Sequence, residues 1–484
     1  MKFKTLEITV FLTGAAVMML EIVGIRVLAP YVGNSIFVWT ALIGVILAAL
    51  STGYWTGGAI ADRYPRRSVL SGIILASAVW IALMSLSKNA VLVVISEIFS
   101  GVRAQAVVSS LALFAVPSVL LGMVSPHAVR IAMRDVHQSG KTAGKLYAIS
   151  TVGSIVGTFV CGFWLLTYFG NTRVLSIISG VLFIAAIVLS SSLWKSKVSV
   201  LTAILIAGVL SVGSLVPIGP DVLADTDSLY QRIIVKDFEH DGRPARALFT
   251  TPNGVQSVVY LDNPSELVAE YTRHYRLAKY LDREVGRVLI VGGAGYSVPR
   301  DVLSWNENVR VDVVEIDSVM TEIAEKYFFL DRSEPRLQIY HEDARNFFRR
   351  APANYYDAVM IDAFHGLSVP FQLTTKESME EVRRVLRDDG GLILNMISAT
   401  EGDASRFAWA ERATLEEVFS LVEMFALGDK EPEEVQNIVF LAVKKESVDV
   451  PEEFSVNRFS GDKQQQQVLT DDFAPVDQYL MKTF

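Results

Sequence analysis

The run Arg287-Val288-Leu289-Ile290-Val291-Gly292-Gly293-Ala294-Gly295 decides the architecture of this chain. Four apolar residues without a polar interruption read as a strand buried on both faces. The glycines that follow permit a tight turn, where a ligand can approach the backbone closely. The same pattern repeats downstream, with apolar strands over 311–315, 336–340, 358–361 and 391–395, a further one over 438–443, and a helix over 318–326. Alternating strands and helices predict an α/β domain built on a doubly wound sheet, with its ligand at the carboxyl ends of the strands. Three acids fall at those ends. Glu315 follows the glycines by about twenty residues, the spacing at which an acid accepts hydrogen bonds from ribose hydroxyls. Asp343, followed by Ala344, is placed to meet a base edge. Asp362 ends the fourth strand, at the expected reacting centre. Any one of these acids taken alone also fits a helix N-cap. A glycine loop with acids on three successive strand ends points to a nucleoside site.

Upstream, 227–262 alternates at period two, with strands over 230–235, 246–250 and 256–261 and turns at Asp241-Gly242 and Asn253-Gly254. This predicts a small antiparallel sheet, followed by a helix over 264–281.

The chain before about Pro217 is of a different kind. Of the 484 residues 51% are hydrophobic, and the excess is concentrated there. A membrane span needs roughly 20 apolar residues. Seven windows qualify: 6–29, 37–60, 69–87, 104–125, 146–168, 174–192 and 198–217. The apolar run 91–100 is short, with Glu97 and Arg103 near its end, and reads as interfacial or re-entrant. Gly44, Ala48 and Gly53, and Gly153, Gly157 and Gly162, recur as small residues that let helices approach in lipid. The first run is too long for a cleavable signal and more spans follow it. Glu21 lies deep in the first span with Arg26 beyond it. A carboxylate there faces a partner or a cavity, so Glu21 is a candidate substrate contact as well as one half of a structural pair. The expected domains are therefore a transmembrane helical bundle over 1–220, a small β subdomain over 221–262 and an α/β domain over 263–484.

Composition excludes other classes. A net charge of -8 argues against nucleic-acid binding. Cys161 is the one cysteine, so there is no intramolecular disulfide and no cysteine metal cluster, and the six histidines show no ligand spacing. No metal is expected. Lys2 and Lys4, Arg63, Arg66 and Arg67, Arg130, Arg134, Lys141 and Lys145, and Lys195 and Lys197 fall on one side of the spans. Arg26, Lys88, Arg103 and Arg173 fall on the other. The positive-inside rule puts the N-terminus in the cytoplasm. Seven crossings would then put the C-terminal half outside.

These residues also resemble two known families. Gly57-Gly58-Ala59-Ile60-Ala61-Asp62-Arg63 resembles the cytoplasmic loop of major facilitator transporters, of which six helices would be half. Asp227-Ser228-Leu229-Tyr230-Gln231, the glycine loop, Val314-Glu315-Ile316-Asp317, Glu342-Asp343-Ala344, Tyr356-Asp357-Ala358-Val359-Met360-Ile361-Asp362 and Leu373-Thr374-Thr375-Lys376-Glu377 resemble, in order, the motifs of spermidine synthases. Glu21 with Arg26, Gly33-Asn34-Ser35 and Leu146-Tyr147 resemble the prokaryotic fusion of a transporter-like bundle to this domain. The resemblance implies a Rossmann-like, methyltransferase-type fold and transfer of an aminopropyl group from decarboxylated S-adenosylmethionine to an amine. It implies Gln231, Gly292, Gly293, Gly295, Glu315, Asp343 and Ala344 on the nucleoside. It implies Asp362 as the base that deprotonates the attacking amine, Tyr271 as the active-site tyrosine, and His365 beside the acceptor. The chain departs from the family at Gly295, where an aspartate usually holds the donor's amino group. It departs again at His365, where an acid binds the polyamine, and at Thr272, where a His or Gln follows the tyrosine.

Three functions stay open on this reading. One is a membrane-bound aminopropyltransferase. A second is a methyl- or alkyltransferase using S-adenosylmethionine on a membrane-borne substrate. The third is a transporter that senses nucleoside or polyamine without turnover. The expected partners are the lipid bilayer, a small amine or polyamine, and a second copy of the chain. The expected location is the prokaryotic inner membrane, multi-pass. Adenosyl sulfonium donors are made in the cytoplasm, so the soluble domain is expected there, with 198–217 entering and leaving the bilayer on one side.

Overall fold

The computed structural model describes residues 2–99, 101–133, 139–190, 221–251, 254–281, 284–364, 369–428, 430–459 and 466–483. The chain divides into two compact units, Met1–Ile218 and Gly219–Phe484.

The first unit contains, among the described residues, six helices long and apolar enough to cross a membrane: α1 (Lys4–Val32), α2 (Ile36–Arg63), α3 (Arg67–Ile98), α4 (Val102–Ala132), α5 (Ser139–Tyr168) and α6 (Asn171–Leu189). The seventh window, 198–217, lies outside the described residues, and with it the route by which the chain leaves the bundle. The re-entrant reading of 91–100 is corrected: α3 runs unbroken to Ile98. In lipid each backbone N–H needs a partner, and extending a helix that contains no proline supplies one at every residue. Helices α4 and α5 each contain a π-helical turn, Leu111–Ala115 and Cys161–Leu165. The first ends two residues before Pro117, which has no N–H to give to the ladder.

Small residues and hydroxyls join these helices. A Cβ at Gly153 or Gly157 would collide with the backbone of Phe11 or Ala15 in α1, and one at Gly53 with Val119 in α4. Gly44 and Gly162 face nothing within 4 Å, so packing accounts for only part of the small-residue pattern. Ser179 Oγ donates to Ala78 O across α6 and α3 at 2.7 Å, and Ser154 Oγ to Gly14 O across α5 and α1 at 3.0 Å. Interhelical hydrogen bonds of this kind replace the hydrophobic drive that lipid removes. Arg130 pairs with Asp62 at 3.1 Å and Lys145 with Glu7 at 2.5 Å, tying helix ends together. Glu21 is half-buried in α1.

The second unit begins with the antiparallel sheet β1 (Val222–Asp227), β2 (Arg232–His240), β3 (Arg243–Phe249) and β4 (Val255–Tyr260). Asp241 and Gly242 close the β2–β3 hairpin with φ of 51° and 73°, both in the left-handed region that a two-residue hairpin of this twist requires. Strand β1 was not expected, and β2 starts at Arg232 rather than 230. The helix expected over 264–281 is corrected to α7 (Glu270–His274) and a 3₁₀ segment, Tyr275–Tyr280. Asn263 O accepts from Glu266 N in a turn, and Arg243 holds Glu266 at 3.0 Å, so residues before Ala269 follow the hairpin rather than a helix.

The main sheet has seven strands in the order β10-β11-β9-β8-β5-β6-β7. They are β5 (Arg287–Val291), β6 (Arg310–Val314), β7 (Leu337–Tyr340), β8 (Tyr356–Ile361), β9 (Leu386–Ser398), β10 (Leu421–Leu427) and β11 (Gln436–Val443). Strands β5 to β9 are parallel. Strand β11 is antiparallel to both β9 and β10, so the sheet is mixed. Helices α8 (Ser297–Leu303), α9 (Ser318–Tyr327), α10 (Ala344–Arg350), α11 (Lys376–Val385) and α12 (Arg406–Glu416) cover it. Apolar cores lie on both faces, one around Phe348, Met379 and Phe407, the other around Tyr275, Tyr296 and Phe328. The order β8-β5-β6 sets the loop after β5 between those after β8 and β6, and this positions the site.

Candidate active site

Gly292 has φ of 93°, and a Cβ there would collide with the Asp362 carbonyl, so only glycine lets the β5 and β8 ends touch. Gly292 N–H donates to Val314 O and Asp362 N–H to Val291 O, each at 2.9 Å, which binds three strand ends together. Ala294 and Tyr296 also sit in the left-handed region, at 42° and 54°. The Tyr296 ring is buried beneath Gly293 and its hydroxyl lies 2.7 Å from Thr321 Oγ1. Gly295 packs against Ser257 of β4 and Phe328, leaving no room for a side chain without displacement.

Glu315 is buried, and its carboxylate grips this loop. Oε2 accepts from Gly293 N–H at 2.7 Å and Oε1 from Asp317 N–H at 2.9 Å. Burial pushes its carboxyl above the usual range, and these two N–H groups pull it back. Each oxygen keeps a lone pair for a further donor. Asp317 caps α9 through Val319 N at 3.1 Å, and its other oxygen accepts from Ser228 Oγ at 2.5 Å. Ser228 in turn accepts from the backbone N–H groups of Tyr230 and Gln231, both at 3.1 Å. This turn is why β2 begins late. It lays Tyr230 and the half-buried Gln231 beside the main sheet. The Tyr230 hydroxyl is pushed up by burial and by the charges of Asp317, Asp343 and Glu315, which it faces together.

Asp343 caps α10, accepting from Asn346 N at 3.1 Å, and its other oxygen lies 3.5 Å from Gln372 Nε2. Ala344 is buried behind it. The N-cap reading is thus correct for Asp343, with one oxygen still turned toward Gln372.

Asp362 is half-buried. Oδ2 accepts from the Tyr271 hydroxyl and Oδ1 from Asn395 Nδ2, each at 3.1 Å. Burial raises its carboxyl above the usual range, against the hydrogen bonds of Asn395 and Tyr271. Tyr271 is pushed well above an ordinary phenol by burial and by the charge of Asp362. Tyr275 stands edge-on to it at 6.4 Å and donates to Ile361 O at 3.0 Å. Thr272 points elsewhere, its hydroxyl 2.5 Å from Ala269 O.

One rim therefore carries Gly292, Gly293, Gly295, Glu315, Asp343, Ala344, Asp362, Tyr271 and Gln231. His365 lies outside the described residues, and Glu21 belongs to the other unit. Sequence reasoning passed over Asn395, Tyr275, Tyr230 and Gln372. Asn395 had a legible signal, a lone amide inside the apolar run 391–398.

A spermine/spermidine synthase domain model matches residues 269–426. The chain is 32% identical over 228 residues to the polyamine aminopropyltransferase of Vibrio vulnificus (strain CMCP6), covering 46% of this chain and 72% of that protein. It is 34% identical over 115 residues to the polyamine aminopropyltransferase of Clostridium acetobutylicum, covering 23% of this chain and 40% of that one. Among solved structures, a probable spermidine synthase from Corynebacterium glutamicum ATCC 13032 superposes with a TM-score of 0.42 at 22% identity, over 48% of this chain and 81% of its own. The C-terminal unit, which holds the whole rim just described, makes this chain a transferase of the polyamine aminopropyltransferase family.

Proposed function

We propose that the C-terminal unit transfers an aminopropyl group from decarboxylated S-adenosylmethionine to an amine. The observation that carries this reading is the placement of Asp362 against the glycine loop, on the same rim as Glu315 and Asp343. Gln231, the glycine loop and Glu315 hold the ribose side of the donor, and Asp343 with Ala344 meets the adenine. Asp362 takes the proton of the attacking amine. The amine nitrogen bonds to the aminopropyl carbon next to sulfur, the carbon–sulfur bond breaks, and its electron pair leaves sulfur as a neutral thioether. Tyr271 and Asn395 orient Asp362. His365 follows Asp362 by three residues in sequence and is the candidate contact of the acceptor.

The packing of Gly295 against Ser257 favours a second reading. No carboxylate stands in the glycine loop to hold a donor's amino group, and S-adenosylmethionine itself would then serve as an alkyl donor. We further infer that the six apolar helices fix the protein in a prokaryotic inner membrane with the C-terminal unit toward the cytoplasm, and that Glu21 serves the membrane half. Calorimetry on the full-length protein with methylthioadenosine and S-adenosylmethionine tests the site. Glu315→Ala removes a charge-assisted acceptor of about 1.5–3 kcal/mol and should weaken binding of whichever ligand the parent takes by roughly tenfold to a hundredfold. A parent that binds neither nucleoside ends the proposal.

A further inference from the structure

Beyond the strands, the segment around Leu469–Phe473 is stitched to the start of α11 and to α12. Leu469 N donates to Thr414 Oγ1 at 2.9 Å, Lys376 N to Leu469 O at 2.8 Å, and Asp471 N to Glu377 Oε2 at 2.9 Å. At its centre is Arg345, only 5% exposed and next in sequence to Ala344. Arg345 Nη2 donates to Asp471 Oδ2 at 2.9 Å. Its Nη1 meets Asp471 Oδ1 at 3.2 Å, Thr375 Oγ1 at 2.9 Å and the Gln372 carbonyl at 2.8 Å. Thr375 Oγ1 donates to Asp471 Oδ1 at 2.7 Å while capping α11 through Ser378 N.

The consequence lies in Gln372. Its backbone is held by Arg345 and its side chain reaches Asp343, on the adenine side of the rim. A buried guanidinium holds such a position only while its charge is paired, and Asp471 is the carboxylate that pairs it. Burial acts to raise the Asp471 carboxyl, but the Thr375 hydroxyl and the Arg345 charge outweigh it and hold the group below the usual range. It is therefore ionised at neutral pH.

We infer that Asp471 is a positioning residue for the nucleoside site: through Arg345 and Thr375 it fixes Gln372 against Asp343. Asp471 touches neither donor nor acceptor, so it sets the affinity for the adenosyl group and leaves the chemical step to Asp362. The inference rests on the proposed nucleoside site, and its test separates the two. In full-length protein, Asp471→Asn should weaken methylthioadenosine binding on the order of tenfold to a hundredfold, the range of a charge-assisted hydrogen bond. In turnover it should raise KM for the donor and spare kcat. Asp471→Glu should recover part of the loss, which a general loss of packing would not allow. Thr375→Val cuts the same link without leaving a charge buried, and should shift KM in the same direction if Asp471→Asn fails to fold. Unchanged nucleoside affinity in folded Asp471→Asn overturns the inference. If the parent binds no nucleoside, the site assignment fails instead. Amide exchange then decides whether Asp471 holds Gln372 in place: it should rise in Asp471→Asn for peptides around 343–346 and 370–375 and stay level in β5, and no rise overturns the inference.

Discussion

Before any substrate arrives, Asp362 already accepts two hydrogen bonds from neutral donors, Tyr271 and Asn395. They favour its ionised form, while burial disfavours it and prevails. A base must be ionised to take a proton, so kcat/KM should fall with decreasing pH, along a limb lying above the ordinary aspartate range. Tyr271→Phe removes a donor that favours the carboxylate and should move this limb to still higher pH. A limb that stays in place, or moves down, removes Tyr271 from the account. Asp362→Asn should lower kcat by about 10² to 10⁴ with methylthioadenosine affinity retained, read by steady-state kinetics beside calorimetry.

At the scale of elements, α12 carries an oddity. Glu411 is fully buried on the helix face that carries Phe407, Thr414 and Leu415, and neither carboxylate oxygen has a hydrogen-bond partner among the described residues. Burial holds its carboxyl well above the usual range, so the native state keeps a proton that the unfolded chain loses. The associated stability is complete below the ordinary glutamate range. It declines as pH rises toward the folded value, by about 1.4 kcal/mol per pH unit. Protection of the α12 amides, corrected for intrinsic exchange, should fall between pH 5 and 8 in the parent and stay flat in Glu411→Met. A flat profile in the parent would show that Glu411 finds a partner. Elements also differ in how well they could be read from sequence. Strands β5, β6 and β8 are buried on both faces and announce themselves as apolar runs. In β10 half-buried and buried residues mix, and β1 has no buried residue and ends in the polar run Asp225-Thr226-Asp227, so neither has that signature. The helix expected over 264–281 starts only at Glu270, because the Arg243–Glu266 contact holds the residues before it. At the site, the acids were legible because strand ends expose them. Gln372 and Asp471 act through contacts distant in sequence, which no local pattern encodes.

For the whole molecule, the six apolar helices and the α/β unit are joined through residues 191–220, and the charge pattern conflicts with the donor's origin about sides only if the window 198–217 crosses the bilayer. The cytoplasmic assignment predicts that Glu239→Cys, on an exposed position of β2 and in a Cys161→Ala background, reacts with an impermeant thiol reagent only after lysis. Labelling of intact cells would place the unit outside, away from cytoplasmic adenosyl donors.

The central claim is that Asp362 and the rim around it carry out aminopropyl transfer. Its most direct test gives purified full-length protein decarboxylated S-adenosylmethionine and a panel of amines, with both products followed by mass spectrometry. The account predicts methylthioadenosine and an aminopropylated amine in equal amounts, and neither from Asp362→Asn. Failure of every amine while the nucleoside still binds, or product formation at the parent's rate by Asp362→Asn, would contradict it.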